Sequence, residues 1–143
     1  MKVNPQIIRY IFFILAITFS GYSSSEENNS KHPIDVWLEQ NISKDSSTVG
    51  MRNATNQARE MWDSEMNKVY NRLMARLSPE QQSALRESQR AWLQFRDGES
   101  KAITSIIASK DGTMWQLAAT DEGMQLVRAR VMRLLAYEEY LDA

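Results

Sequence analysis

The chain has 143 residues, 43% of them hydrophobic, 24% charged and 9% aromatic, a size and balance that suit one globular domain and exclude a multidomain enzyme or a disordered chain. It has no Cys and a single His, His32, which rules out disulfides, thiolate nucleophiles, iron–sulfur or zinc-finger ligation and any multi-His metal site. Its 17 Lys and Arg stand against 18 Asp and Glu, too little positive charge for a general nucleic-acid binder.

The first element is an export signal. Lys2 and Arg9 precede the apolar run from Tyr10 to Phe19, and Ser20, Gly21 and Tyr22 to Ser25 follow. This is the layout of a secretory signal peptide, here residues 1–23, with cleavage expected between Ser20 and Ser25. The run is far shorter than the roughly 20 residues a membrane-spanning helix needs, so no stable membrane insertion is expected after cleavage. Without Lys2 and Arg9, 15 basic residues face 18 acidic ones, a net charge of −3.

Residues 24–47 read as a polar linker, interrupted by Pro33-Ile-Asp-Val-Trp-Leu38. That stretch predicts a short helical turn with Pro33 at its first position, docked through Ile34, Trp37 and Leu38. His32, in this polar lead-in, reads as a solvated side chain.

The main domain is residues 48–143. Apolar residues at Met51, Ala54, Ala58, Met61, Trp62, Val69, Tyr70, Leu73 and Leu77 recur at spacings of three and four, one face of a helix from Thr48 to Leu77. Ser78-Pro79-Glu80-Gln81 then supplies a capping box and a first-turn proline. The second helix, Pro79 to about Ser109, is expected to turn Leu85, Trp92, Phe95, Ile103, Ile106 and Ile107 inward. Lys110 to Thr113 reads as a turn, and the third helix carries Met114, Leu117, Met124, Val127, Val131, Leu134, Leu135 and Leu141. Gly123 is its weak point, since glycine costs about 1 kcal/mol relative to alanine inside a helix. The expected fold is all-α, an antiparallel three-helix up-down-up bundle with the short N-terminal helical turn in front.

Little in the chain offers bond-making chemistry. There is no Ser or Cys beside a His, no glycine-rich phosphate loop and no metal cluster. Asp63 with Glu65, Asp97 with Glu99, and Asp121 with Glu122 are near pairs, but neighbours one or two apart on a helix diverge, whereas a glycosidase needs two carboxyls converging on a cleft. No catalytic residue, metal or cofactor is expected. Lys68, Arg72 and Arg76 form a basic ridge at spacing four, read as a solvated face or a contact for an anionic partner. Asp97 and Lys101 are correctly ordered for a stabilising helix pair.

The unusual cluster is Asp63, Asn67 and Tyr70 on the first long helix and Gln89, Arg90, Trp92, Arg96 and Asp97 on the second. With a hairpin turn near Ser78, Asn67 should lie near Gln89, and Asp63 near Trp92 to Arg96. Arg96 at a core edge needs a partner, and Asp63 is the expected one. The eight residues read either as a register lock between two helices or as a partner-binding patch built on Tyr70, Arg90 and Trp92, types enriched at interface hot spots.

As a string, Trp62-Asp-Ser-Glu-Met-Asn-Lys-Val-Tyr70 with Leu73 and Leu77, then Gln89-Arg-Ala-Trp92 and Arg96-Asp-Gly-Glu99, resembles the lysozyme inhibitor LprI-like family over about Thr48 to Leu135. Its members are small exported bacterial proteins. The resemblance implies a cell-envelope protein that works by binding. Where the family usually carries cysteines, this chain has Ala54, Ser100 and either Ala118 or Ala119. It must therefore hold its helices by packing, without a staple worth about 2–4 kcal/mol.

The expected function is a non-catalytic binding protein of the bacterial periplasm or exterior that occludes a lysozyme or other muramidase. The alternative is a structural or regulatory partner of an envelope or secretion complex. Lysozymes are generally basic, so Glu26, Glu27, Asp35, Glu39, Asp121, Glu122, Glu138 and Glu139 are the acidic candidates for steering.

Overall fold

The computed structural model describes residues 31–143, so the expected signal segment, with Glu26 and Glu27 beyond it, lies outside the described residues. Lys31 to Ala143 form one compact unit of four helices with no strand among the described residues: α1 (Pro33–Lys44), α2 (Thr48–Arg76), α3 (Pro79–Ile107) and α4 (Thr113–Asp142).

Local chemistry sets each boundary. Pro33 opens α1, and Asp35 sits in its first turn, where a carboxylate complements the helix dipole. These features carry α1 through 12 residues, more than the single turn read from the sequence, and Ile34 inserts into the core. Asp45 then accepts from the Ser47 N–H at 3.0 Å, and Ser47 Oγ accepts from Gly50 N–H at 3.0 Å to cap α2. The Asp45 carboxylate folds back over Gly50 so closely that a Cβ there would collide with it.

At the next junction both halves of the capping box form. Ser78 Oγ accepts from Gln81 N–H at 3.3 Å, and Gln81 Oε1 accepts from Ser78 N–H at 2.9 Å. Gly112, at φ +108°, makes the turn into α4 in a conformation that disfavours other residues. α4 runs unbroken through Gly123, whose missing side chain faces only the far end of Arg59 at 4.0 Å.

The three long helices run up, down and up, which places α2 and α4 parallel. Their cross-contacts keep an almost constant offset: Thr48 with Met114, Arg52 with Gln116, Arg72 with Glu138 and Arg76 with Asp142. This pairing is the spine of the fold. Ala58, Trp62, Met66, Val69 and Leu73 of α2 face Met124, Val127, Val131 and Leu134 of α4, all buried. Removing each large side chain from water contributes about 1.5–3 kcal/mol. Trp62 is fully enclosed, and its indole N–H is the one enclosed side-chain polar atom without a partner among the described residues.

The second long helix departs from expectation. Of the inward stripe read for α3, only Leu85 is buried, whereas Phe95 is 52% exposed and Ile106 66%. α3 packs against α4 and has slighter backbone contact with α2, so mainly side chains bridge the α2–α3 seam. A parallel α2–α4 pair already closes most of the core, and α3 covers its edge without filling it.

Candidate functional site

The structure gathers five of the eight cluster residues into a polar network along this seam. Gln89 is its hub: Nε2 donates to Met66 Sδ at 3.5 Å, and Oε1 accepts from Arg130 Nε at 2.9 Å. Two cations lie over the Trp92 ring, Arg96 at 5.4 Å and Arg130 at 5.9 Å from its centroid. Arg96 donates through Nε and Nη2 to Asp97 at 3.1 and 3.0 Å, while Asp63 stands off at 3.9 Å. The adjacent carboxylate thus takes the guanidinium, with Asp63 a secondary partner and Lys101 unpaired with Asp97 among the described residues. Asn67 and Arg90 are exposed on the surface, and Tyr70 packs against the core.

Arg130 belongs to this network and was absent from the residues singled out above. It is 7% exposed, and its second donor bond runs from Nη2 to Ser88 Oγ at 3.3 Å. Burial pushes its guanidinium below the usual arginine range, opposed only by Tyr137. The signal for it lay in the helix period: position 130 is three past Val127 and four before Leu134, on the apolar stripe of α4.

A second constellation joins α1 to the spine. Arg128 donates to both oxygens of Asp35 at 2.8 to 3.1 Å, and this bonding holds the guanidinium above its ordinary range. The same guanidinium lies 5.7 Å from the Trp62 ring centroid, and His32 stacks on that indole at 4.4 Å. His32 is therefore not a free solvated side chain: it is half-buried, and its Nδ1 accepts from the Ile34 N–H at 3.2 Å as the cap of α1. Linking α1 to the core makes the residue a structural fastener.

Most of the other charged candidates are also engaged. In the basic ridge, Lys68 pairs with Glu65 at 3.5 Å, Arg72 with Glu138 at 2.8 Å and Arg76 with Asp142. The Glu138 bonds raise the Arg72 guanidinium. Among the acidic candidates, Asp35, Glu39 and Glu138 are taken by Arg128, Lys31 and Arg72, whereas Asp121, Glu122 and Glu139 are exposed without an ion pair among the described residues. No group of His and carboxylates among the described residues is arranged to hold a metal ion. The guanidiniums, amide and indole gathered here donate, accept and stack.

Residues 39–134 match the profile of the family described as lysozyme inhibitor LprI. The chain belongs to this family. The match takes in all of α2 and α3 with most of α4, so the α2–α3 seam and the spine are both within the family's domain, while the first half of α1 precedes it. The fold is similar to the crystal structure of an uncharacterized protein from Burkholderia thailandensis, at a TM-score of 0.69 and 32% sequence identity over 73% of this chain. This chain spans about half, 52%, of that protein's length. No curated protein matches. Among the described residues no helix is long and apolar enough to cross a membrane.

Proposed function

We propose that this LprI-family chain is an exported, non-catalytic envelope protein that inhibits a muramidase by covering its substrate cleft. Membership of the family over residues 39–134 carries the reading. The signal layout of residues 1–23, followed by the polar stretch to Ser47, supports delivery outside the cytoplasm. In the same reading the eight seam residues divide their work. Asp63, Gln89, Trp92, Arg96 and Asp97 lock the helices, and Asn67 and Arg90 at the rim meet the partner, with Tyr70 supporting them from the core side.

Occlusion has a kinetic signature. An oligosaccharide that fills the muramidase cleft should compete with the protein, raising its apparent inhibition constant in proportion to sugar concentration. Inhibition indifferent to the sugar would count against covering of the cleft.

One feature favours the second reading, a regulatory or structural partner of an envelope complex. Phe95 and Ile106 lie eleven residues apart on α3, close to the same face, and both are exposed. An exposed apolar stripe suits a protein interface. Crosslinking in the native periplasm separates the two readings: adducts to a muramidase support inhibition, and adducts to a dedicated non-enzymatic protein support the adaptor.

A further inference from the structure

Near the α2–α3 turn the shallow seating of α3 leaves an open groove of about 360 Å³. Leu73 of α2, Leu77 just past its end, Leu85 of α3, and Tyr137, Tyr140 and Leu141 of α4 wall it. Its size falls in the roughly 300–1,000 Å³ range of small-molecule sites. Among the residues that line it the polar ones besides the tyrosines are Gln81 and Ser88, and none is charged.

Behind Ser88 stands Arg130. Its partners are all neutral: Gln89 Oε1 at 2.9 Å, Ser88 Oγ at 3.3 Å and the face of Trp92. It makes no ion pair among the described residues, although Arg72, Arg76, Arg96 and Arg128 all do. A buried cation without a counter-charge is costly, so an anion brought close to it would be favoured. Ser88 is placed to receive one. Its oxygen already accepts from the guanidinium, which leaves its own proton to donate, with the positive charge aligned behind it.

The groove and the cation together select the ligand. An extended peptide lying there would set a backbone N–H and C=O at every residue against walls that are mostly leucine side chains and tyrosine rings, with few polar atoms to satisfy them. An aliphatic chain brings no polar group except at its end. We propose that the groove binds a fatty-acid-like monocarboxylate, its chain along Leu77, Tyr140 and Leu141 and its carboxylate at Ser88 in front of Arg130. This site is separate from the muramidase reading and stands or falls independently of it.

The test is calorimetric titration of the mature chain with decanoate and with decanol, both below their aggregation limits, with amide NMR shifts to place the site. Decanoate is expected to bind one to one, about tenfold tighter than decanol, with the largest shifts at Leu77, Tyr140 and Leu141; one charge-assisted bond is worth roughly that factor. Arg130→Met should bring the two ligands to within about twofold while leaving decanol unchanged. Tyr140→Asp, at an exposed position that the fold does not need, should weaken both. Equal affinity of acid and alcohol for the unaltered chain, absence of binding, or shifts confined to another face would overturn the proposal. The acid–alcohol comparison requires no variant and decides the matter even if Arg130→Met fails to fold.

Discussion

Asp35→Ala removes the counter-charge that fastens α1 to α4. The pair has three N–H···O contacts of 2.8 to 3.1 Å, and the side chains retain 18% exposure at Asp35 and 35% at Arg128. Breaking a fully buried pair costs about 3–5 kcal/mol, and an exposed one is worth about 0.2–1 kcal/mol. Partial burial places this pair between them, at about 2 kcal/mol, including the few tenths that Asp35 contributes to the α1 dipole. For a domain of this size that is a fall in Tm of about 8 °C. Hydrogen exchange should localise the loss, with amides of α1 losing protection before those of α2 and α4. Because the pair is partly shielded, its double-mutant coupling with Arg128→Met should persist in 1 M salt, whereas coupling between Arg76 and Asp142 should vanish. A Tm change under about 2 °C with unchanged α1 exchange would refute this placement of the strap.

Leu134→Ala, at a fully buried position of the spine, should cost about 3 kcal/mol in urea unfolding, while Phe95→Ser on the free stripe of α3 should change stability by less than about 0.5 kcal/mol. Ser78→Ala removes half of the capping box and should cost about 1 kcal/mol, read as a lower thermal midpoint at unchanged helical content. Hydrogen bonds from Ser47 hold the Asp45 carboxylate below its usual range. Its contribution is therefore complete above the unfolded value near pH 4 and is lost as pH falls through the lower folded one, so Asp45→Asn should flatten the acid limb of a Tm–pH curve.

Much of the fold was legible because periodicity and caps agreed. The α2 and α4 stripes, the break at Ser78 and the turn before Thr113 all follow from spacing and capping chemistry. The depth to which α3 would sink was not legible. A stripe containing Trp92, Phe95 and Ile106 has the same period whether or not another helix faces it, and parallel packing of α2 on α4 decides how much core is left to cover. The length of α1 was hidden because its polar flanks dilute the apolar positions, while Ile34 gains its burial from contacts distant in sequence. In the seam, hairpin symmetry brought the right helices together, with Met66 meeting Gln89 and Asp63 approaching Arg96. It could not show that Asp97, one residue away, would hold Arg96 first, or that Arg130 would enter from α4. The roles of His32 and Arg128 likewise depend on the burial of Trp62, a tertiary fact.

The most direct measurement is the rate at which a muramidase clears a peptidoglycan suspension as the purified mature chain is added. A family inhibitor that covers the cleft should slow clearing in proportion to dose until one protein is bound per enzyme, and Asn67→Arg, which adds bulk and positive charge at the exposed rim, should weaken the effect without shifting Tm. An undiminished rate at large molar excess of folded protein, across muramidases of more than one class, would contradict it.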